Sequence, residues 1–159
     1  MHKYKVKPMT IQNKYNVSVI SFKLTDSSGK QIYTLPFNTN KKEYNKVDSE
    51  CVVYLPNNFI ENFPNAEKVF FHLSTYEKIS FECGLLYQET AISIKDLPDN
   101  GLLKLNFNMN FPSEVKPYKL VGYRFSVSDK DAMHQVTDED ENDGVFFDTV
   151  IPSEVIDNG

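Results

Sequence analysis

The side chains that could do chemistry in this sequence are few and scattered. Its histidines are His2, His72 and His134, and its cysteines are Cys51 and Cys83. A structural zinc site takes about four such ligands, with Cys pairs close in sequence. Neither cysteine has that spacing, so no metal is assigned to them. Nucleophilic catalysis needs a Ser, Cys or Thr beside a base and an orienting group. Serines and carboxylates are plentiful, but no Gly-x-Ser-x-Gly elbow occurs. His72 lies inside the alternating run Val69–Leu73, which makes it a strand residue rather than a base. The six glycines are spread singly, so there is no Gly-rich phosphate loop. The expectation is a protein with no catalytic residues and no cofactor, and therefore not an enzyme.

One acidic run comes closer to a site. Asp138-Glu139-Asp140-Glu141-Asn142-Asp143-Gly144 places carboxylates on alternate residues, as an EF-hand loop does. The register fails both ways. Counted from Asp138, position six is Asp143, where Gly is needed. Counted from Glu139, Gly144 falls correctly, but position twelve is Val150 rather than a bidentate Glu. Asp129 and Asp131 could add ligands from nearby. Asp129, Asp131, Asp138, Asp140 and Asp143 are thus the candidate Ca²⁺ ligands, set against the expectation of a solvated acidic loop.

These residues sit on a chain polarised in charge. Met1 to Lys46 holds nine Lys against two acids, and Ser128 to Gly159 holds ten carboxylates against one Lys. Such ends could associate head to tail or recruit separate partners. Arg124 is the single arginine, and the net charge is -5. Nucleic-acid readers rely on clustered Lys and Arg, so no nucleic-acid partner is expected. Mean hydropathy is -0.44, and the longest apolar runs, such as Cys51 to Leu55, are too short to span a bilayer. The start MHKYKVKPMTIQ carries no apolar leader core, which points to a cytoplasmic protein. In that compartment Cys51 and Cys83 are expected as thiols, with one disulfide as the alternative.

Short alternating runs rich in Val, Ile, Phe and Tyr must position all of this. Ser18–Leu24 puts Ile20, Phe22 and Leu24 on one face, and Asp26 to Gly29 follows as a hairpin loop. Val69–Leu73 is apolar on both faces, as a central strand is. Leu103, Leu105 and Phe107 alternate with Lys104, Asn106 and Asn108. Val121, Tyr123, Phe125 and Val127 do the same with Gly122, Arg124 and Ser126. Pro98-Asp99-Asn100-Gly101 is the strongest turn and suggests a hairpin between 91–96 and 102–108. No helix-period segment of ten residues is present. The pattern predicts an all-β fold, an antiparallel β-sandwich of about seven to eight strands, C2-like or immunoglobulin-like. A basic extension (1–14) would precede the sandwich (15–127). An acidic tail (128–159) would follow, with a possible last strand. Phe71, Leu73, Ile92, Ile94, Leu105, Phe107, Tyr123 and Phe125 are expected to share one core.

A polar Lys/Asn segment (Thr39–Asn45) leads here into the apolar strands Cys51–Leu55 and Val69–Leu73. Gly84 then opens a stretch ending Ile94-Lys95-Asp96-Leu97, before a strand at Leu102–Phe107. In its order of features this resembles a C2 domain over less than half the chain. Calcium-binding C2 domains carry Asp-x-Asp in the loop after the second of these strands. Here that loop would read Ser74-Thr75-Tyr76-Glu77, so the resemblance implies a calcium-independent docking module.

The functional expectation is a structural or scaffold β-sandwich that binds other proteins, with a homo-oligomer through the charged ends as one form. The apolar residues of the tail, Val145, Phe146, Phe147, Val150 and Ile151, are its expected partner-binding segment. Two alternatives stand beside it. One is a Ca²⁺- or membrane-responsive module using Lys3, Lys5, Lys7, Lys41 and Lys42. The other is a lectin-like binder of carbohydrate or a small ligand.

Overall fold

A computed structural model describes residues 11–38, 45–80, 83–111, 119–131 and 144–156. Among them nine strands form two sheets that pack face to face. In the four-stranded sheet the order is β2 (Gln31–Ile32), β1 (Ser18–Thr25), β4 (Asn45–Tyr54), β7 (Leu102–Phe111), all antiparallel. In the five-stranded sheet the order is β3 (Leu35–Asn38), β9 (Val145–Ile156), β8 (Leu120–Ser128), β5 (Lys68–Glu77), β6 (Cys83–Ser93). Among the described residues, helical turns are limited to single 3₁₀ turns at Ile60–Asn62 and Ile94–Asp96. One pairing departs from the antiparallel expectation: β3 runs parallel to β9.

The core lies between the inward rows of the two sheets. Phe71, Leu73, Leu105, Phe107, Tyr123 and Phe125 are buried as the alternation predicts. Ile92 and Ile94 are half-buried at its rim. Phe22 spans the layers, its ring meeting those of Tyr123, Phe125 and Phe147 at 5.6 to 6.0 Å. Such offset and edge contacts are the favoured aromatic geometry. Cys51 is a free thiol in this core, and burial pushes its pKa up to about 12, so it is chemically inert there.

The Asp26 loop closes the β1–β2 hairpin. Its carboxylate accepts hydrogen bonds from the Ser28 and Lys30 amides, each at 3.0 Å, and Gly29 takes φ +83°. At the Pro98 turn, Gly101 has φ +79°, and a Cβ there would lie 2.6 Å from the Leu55 carbonyl oxygen. Only glycine meets both demands.

Four expectations are corrected. Ile20 is 60% exposed, because a bulge between Val19 and Ser21 breaks the phase of β1. The proposed 91–96/102–108 hairpin does not form: β6 pairs with β5 and β7 with β4, so the Pro98 turn carries the chain from one sheet to the other. Ser74 to Glu77 continue β5 rather than forming a loop. The domain boundary at 127 falls inside β8, and the sandwich continues through β9, which sits between β3 and β8.

One buried pair offers a test of the packing. The Tyr123 hydroxyl faces Ser49 across the core, and neither hydroxyl reaches hydrogen-bond geometry with a partner. Removing an unsatisfied buried hydroxyl relieves its desolvation cost. Tyr123→Phe is therefore expected to leave stability unchanged or raise it by about 1 kcal/mol in urea melts. A loss of that size would mean the hydroxyl is bonded.

Candidate functional site

Two surfaces stand out: the outer face of the five-stranded sheet, and the free edge of the other sheet. On the outer face, β5 presents Phe70, His72, Ser74 and Tyr76, and β8 presents Gly122, Arg124, Ser126 and Ser128. Several are polar yet buried, which demands pairing. Arg124 is 5% exposed and donates from Nε and Nη2 to Asp148 Oδ2 on β9, at 3.0 and 2.8 Å. Asp148 Oδ1 accepts from the Tyr76 hydroxyl at 2.6 Å. The guanidinium also lies 5.0 Å from the Tyr76 ring centre, a cation–π distance. Gly122 makes room for that ring: a Cβ there would fall 2.1 Å from it.

One rung away is His72, 1% exposed. Its Nε2 meets Ser128 Oγ at 3.2 Å, and its Nδ1 meets the Tyr87 hydroxyl and Glu89 Oε2, the latter at 3.4 Å. Ser128, His72 and Glu89 have the order of a nucleophile, base and acid. However, the Ser128 hydroxyl donates to the Lys130 carbonyl at 2.8 Å. The serine's hydrogen is thus directed at a main-chain carbonyl, whereas an activated nucleophile donates to its base. The Tyr87 hydroxyl in turn donates to Glu89 Oε2 at 3.3 Å. Burial pulls the His72 pKa below its ordinary 6.5, against the opposing pull of Glu89.

This has a pH consequence. The unfolded chain takes up the proton near pH 6.5, while the folded chain resists it to lower pH. The His72 contribution is thus fully present above that value and is lost as pH falls below it, by at most about 1.4 kcal/mol per pH unit. Melting temperature should fall between about pH 7.5 and 5, and His72→Gln should flatten that fall. Equal slopes in both proteins would show that another group carries it.

The second surface is β7. The Leu55 amide donates to the Gly101 carbonyl at 2.8 Å, so these two form a hydrogen-bonded pair of the β4–β7 ladder. Such pairs alternate along an antiparallel ladder, and the β4–β7 register runs without a shift. Leu103, Leu105, Phe107 and Met109 therefore spend their main-chain groups on β4. Leu102, Lys104, Asn106, Asn108 and Asn110 point theirs away from it. Among the described residues no strand pairs with β7 on that side.

The other edges are guarded. β2 has two residues and covers only Leu24 and Thr25 of β1, whose remaining edge is broken by the bulge between Val19 and Ser21; β3 contains Pro36, and β6 breaks register with β5 between Ser74 and Tyr76. β7 has ten residues, no proline and no bulge. Its one charge, Lys104, leans on Glu50 of β4 at 3.2 Å.

The residues singled out from sequence fare differently. Val145, Phe146 and Ile151 are buried in their own sandwich, and Phe147 and Val150 are half-buried in β9. They help complete this fold, since β9 fills the gap between β3 and β8. Asp129 is exposed and Asp131 half-buried just past β8. Asp138, Asp140, Asp143, His2, His134 and Lys3, Lys5, Lys7, Lys41 and Lys42 lie outside the described residues. Sequence reasoning missed the Arg124–Asp148–Tyr76 cluster. It also missed the free edge, whose one signal was the run of Asn on alternate residues, uncommon in strands.

No family model matches this chain, and no curated protein matches it. Solved structures do share its shape. It is similar to the C-terminal domain of wzt, at 9% identity and TM-score 0.50, covering 90% of this chain and 75% of that one. It also overlaps a glycosyl hydrolase family 2 (GH2) member from Bacteroides cellulosilyticus DSM 14838, at 10% identity and TM-score 0.45 over 85% of this chain. The chain spans 15% of that hydrolase's length. Fold and comparisons together place the protein among β-sandwich domains.

Proposed function

We propose that this β-sandwich is a non-catalytic docking domain that binds partner proteins by accepting an added strand along β7, as a subunit of a larger assembly. The observation that carries this reading is the unguarded edge. Lys104, Asn106, Asn108 and Asn110 direct main-chain donors and acceptors outward from a ten-residue strand, with the Leu102 carbonyl beside them. Strand addition draws its affinity from such groups and its selectivity from the alternate side chains. The Ser128 hydroxyl supports the non-catalytic part, since in the one Ser–His–Glu grouping among the described residues it donates to a main-chain carbonyl.

Asn106→Pro tests the reading. Proline removes an edge N–H that β4 does not use, so the domain should still fold. Complexes retained from native extract by the parent should be lost in this variant and kept in Tyr33→Ser, a change at a 77% exposed site elsewhere on the sandwich. Equal retention by Asn106→Pro and the parent would remove β7 from the binding.

A lectin-like reading has one observation in its favour. An open cleft of about 490 Å³ is lined by Ser27, Lys46, Asp48, Asn108 and Asn110, whose side chains offer both donors and acceptors. Saturable binding of a neutral oligosaccharide that Asn108→Ala abolishes, with β7 docking unaffected, would favour it.

A further inference from the structure

We infer that the strand filling this edge is β7 of a second copy, paired antiparallel about a two-fold axis at Asn106. This rests on the edge-docking reading above and names its partner.

The free main-chain groups decide the register. They belong to Lys104, Asn106, Asn108 and Asn110, with the carbonyl of Leu102, whose amide donates to Asn100 Oδ1 at 3.1 Å; these five positions are symmetric about Asn106. A two-fold axis at Asn106 sets Asn106 against itself, Lys104 against Asn108, and Leu102 against Asn110. The three inner rungs then exchange two hydrogen bonds each, and the two outer rungs, where the Leu102 amide stays with Asn100, one each, about eight in all. Sliding by two residues loses a rung. Sliding by one sets free groups against groups already spent on β4, and turns one sandwich over relative to the other.

The side chains agree with that register. Opposed residues of an antiparallel pair lie on the same face. Outside, Asn106 meets Asn106, and an amide can both donate and accept. Lys104 meets the neutral Asn108 and keeps Glu50 as its counter-charge. No like charges are opposed. Inside, Leu105 meets Phe107 and Leu103 meets Met109, apolar against apolar, so the two cores become continuous at the seam. The contact is isologous and closes on itself, yielding one eight-stranded sheet across two copies. Pairing consumes the edge, which accounts for a ten-residue strand left without proline, bulge or unpaired charge.

The experiment uses the full chain. Sedimentation of the parent from about 10 to about 500 µM should show a monomer–dimer equilibrium, while Asn106→Pro stays monomeric. Asn106→Cys should form an intermolecular disulfide under mild oxidation, because Cα atoms across such a rung lie about 5.5 Å apart. Asn110→Cys should not, since the two copies of residue 110 would be ~27 Å apart along the strands. A parent monomeric throughout, a dimer that survives Asn106→Pro, or equal cross-linking at 106 and 110 would each overturn the inference. If the parent is monomeric but Asn106→Pro still loses its extract partner, self-pairing fails and edge docking stands. If Asn106→Pro changes neither, both fail.

Discussion

Removing residues 144–159 should leave a chain that does not fold. β9 lies between β3 and β8, and its loss strips β3 of its neighbour and exposes a long side of β8. Val145, Phe146 and Ile151 leave the interior with it. Phe146 packs against Phe71 and Phe125, with ring centres 6.4 and 6.3 Å apart. Each such side chain contributes about 1.5–3 kcal/mol by burial. Three together approach the 5–15 kcal/mol that hold a typical domain folded, before any ladder hydrogen bond is counted. Gly144 adds a joint that no other residue would fit, since a Cβ there would lie 2.2 Å from the Val127 carbonyl oxygen. The truncated chain should lack a cooperative melt in circular dichroism. A melting temperature close to the parent's would mean that β9 is a detachable tail after all.

The second large effect belongs to Asp148. Its carboxylate is a counter-charge to a guanidinium that is 5% exposed, and it also receives the Tyr76 hydroxyl. Asp148→Ala would leave the Arg124 charge buried without its carboxylate, which costs about 3–5 kcal/mol in comparable pairs. The expected reading is a lower urea midpoint with an unchanged slope, since the folded surface changes little. Replacing both partners, as Arg124→Met with Asp148→Leu, should recover most of the loss because neither of these two charges then stays buried without the other. Should Asp148→Ala cost less than about 1 kcal/mol, the pair would behave as a surface ion pair and the cluster would have no structural weight.

The chain's local chemistry declares its strands. Period-two alternation in Val69–Leu73, Leu103–Phe107 and Val121–Val127 marks both the extended backbone and the residues that turn inward, and Phe71, Leu105, Phe107, Tyr123 and Phe125 are all buried. That inference works because a pleat alternates by its own geometry, whatever lies beside it. The turns at Asp26 and Gly101 are equally local, set by an Asx carboxylate and by positive φ. Where local signals compete, the sequence misleads. The turn before Leu102 looks like a hairpin, yet it links two sheets, because turn residues specify a reversal and not the partner on the far side.

Everything that makes a surface depends on pairing between residues distant in sequence. Arg124 meets Asp148 because β8 and β9 are neighbours, and Tyr76 reaches them because Gly122 clears its path from β5. The acidic composition around Val145 to Ile151 resembles a tail, but the segment fills a gap that exists once β3 and β8 are in place. The alternating Asn residues of β7 could equally have faced a further strand or water. Strand order alone makes them an edge, since a residue's own chemistry sets which way its side chain points, while closure of the distant sheet sets what its main chain meets.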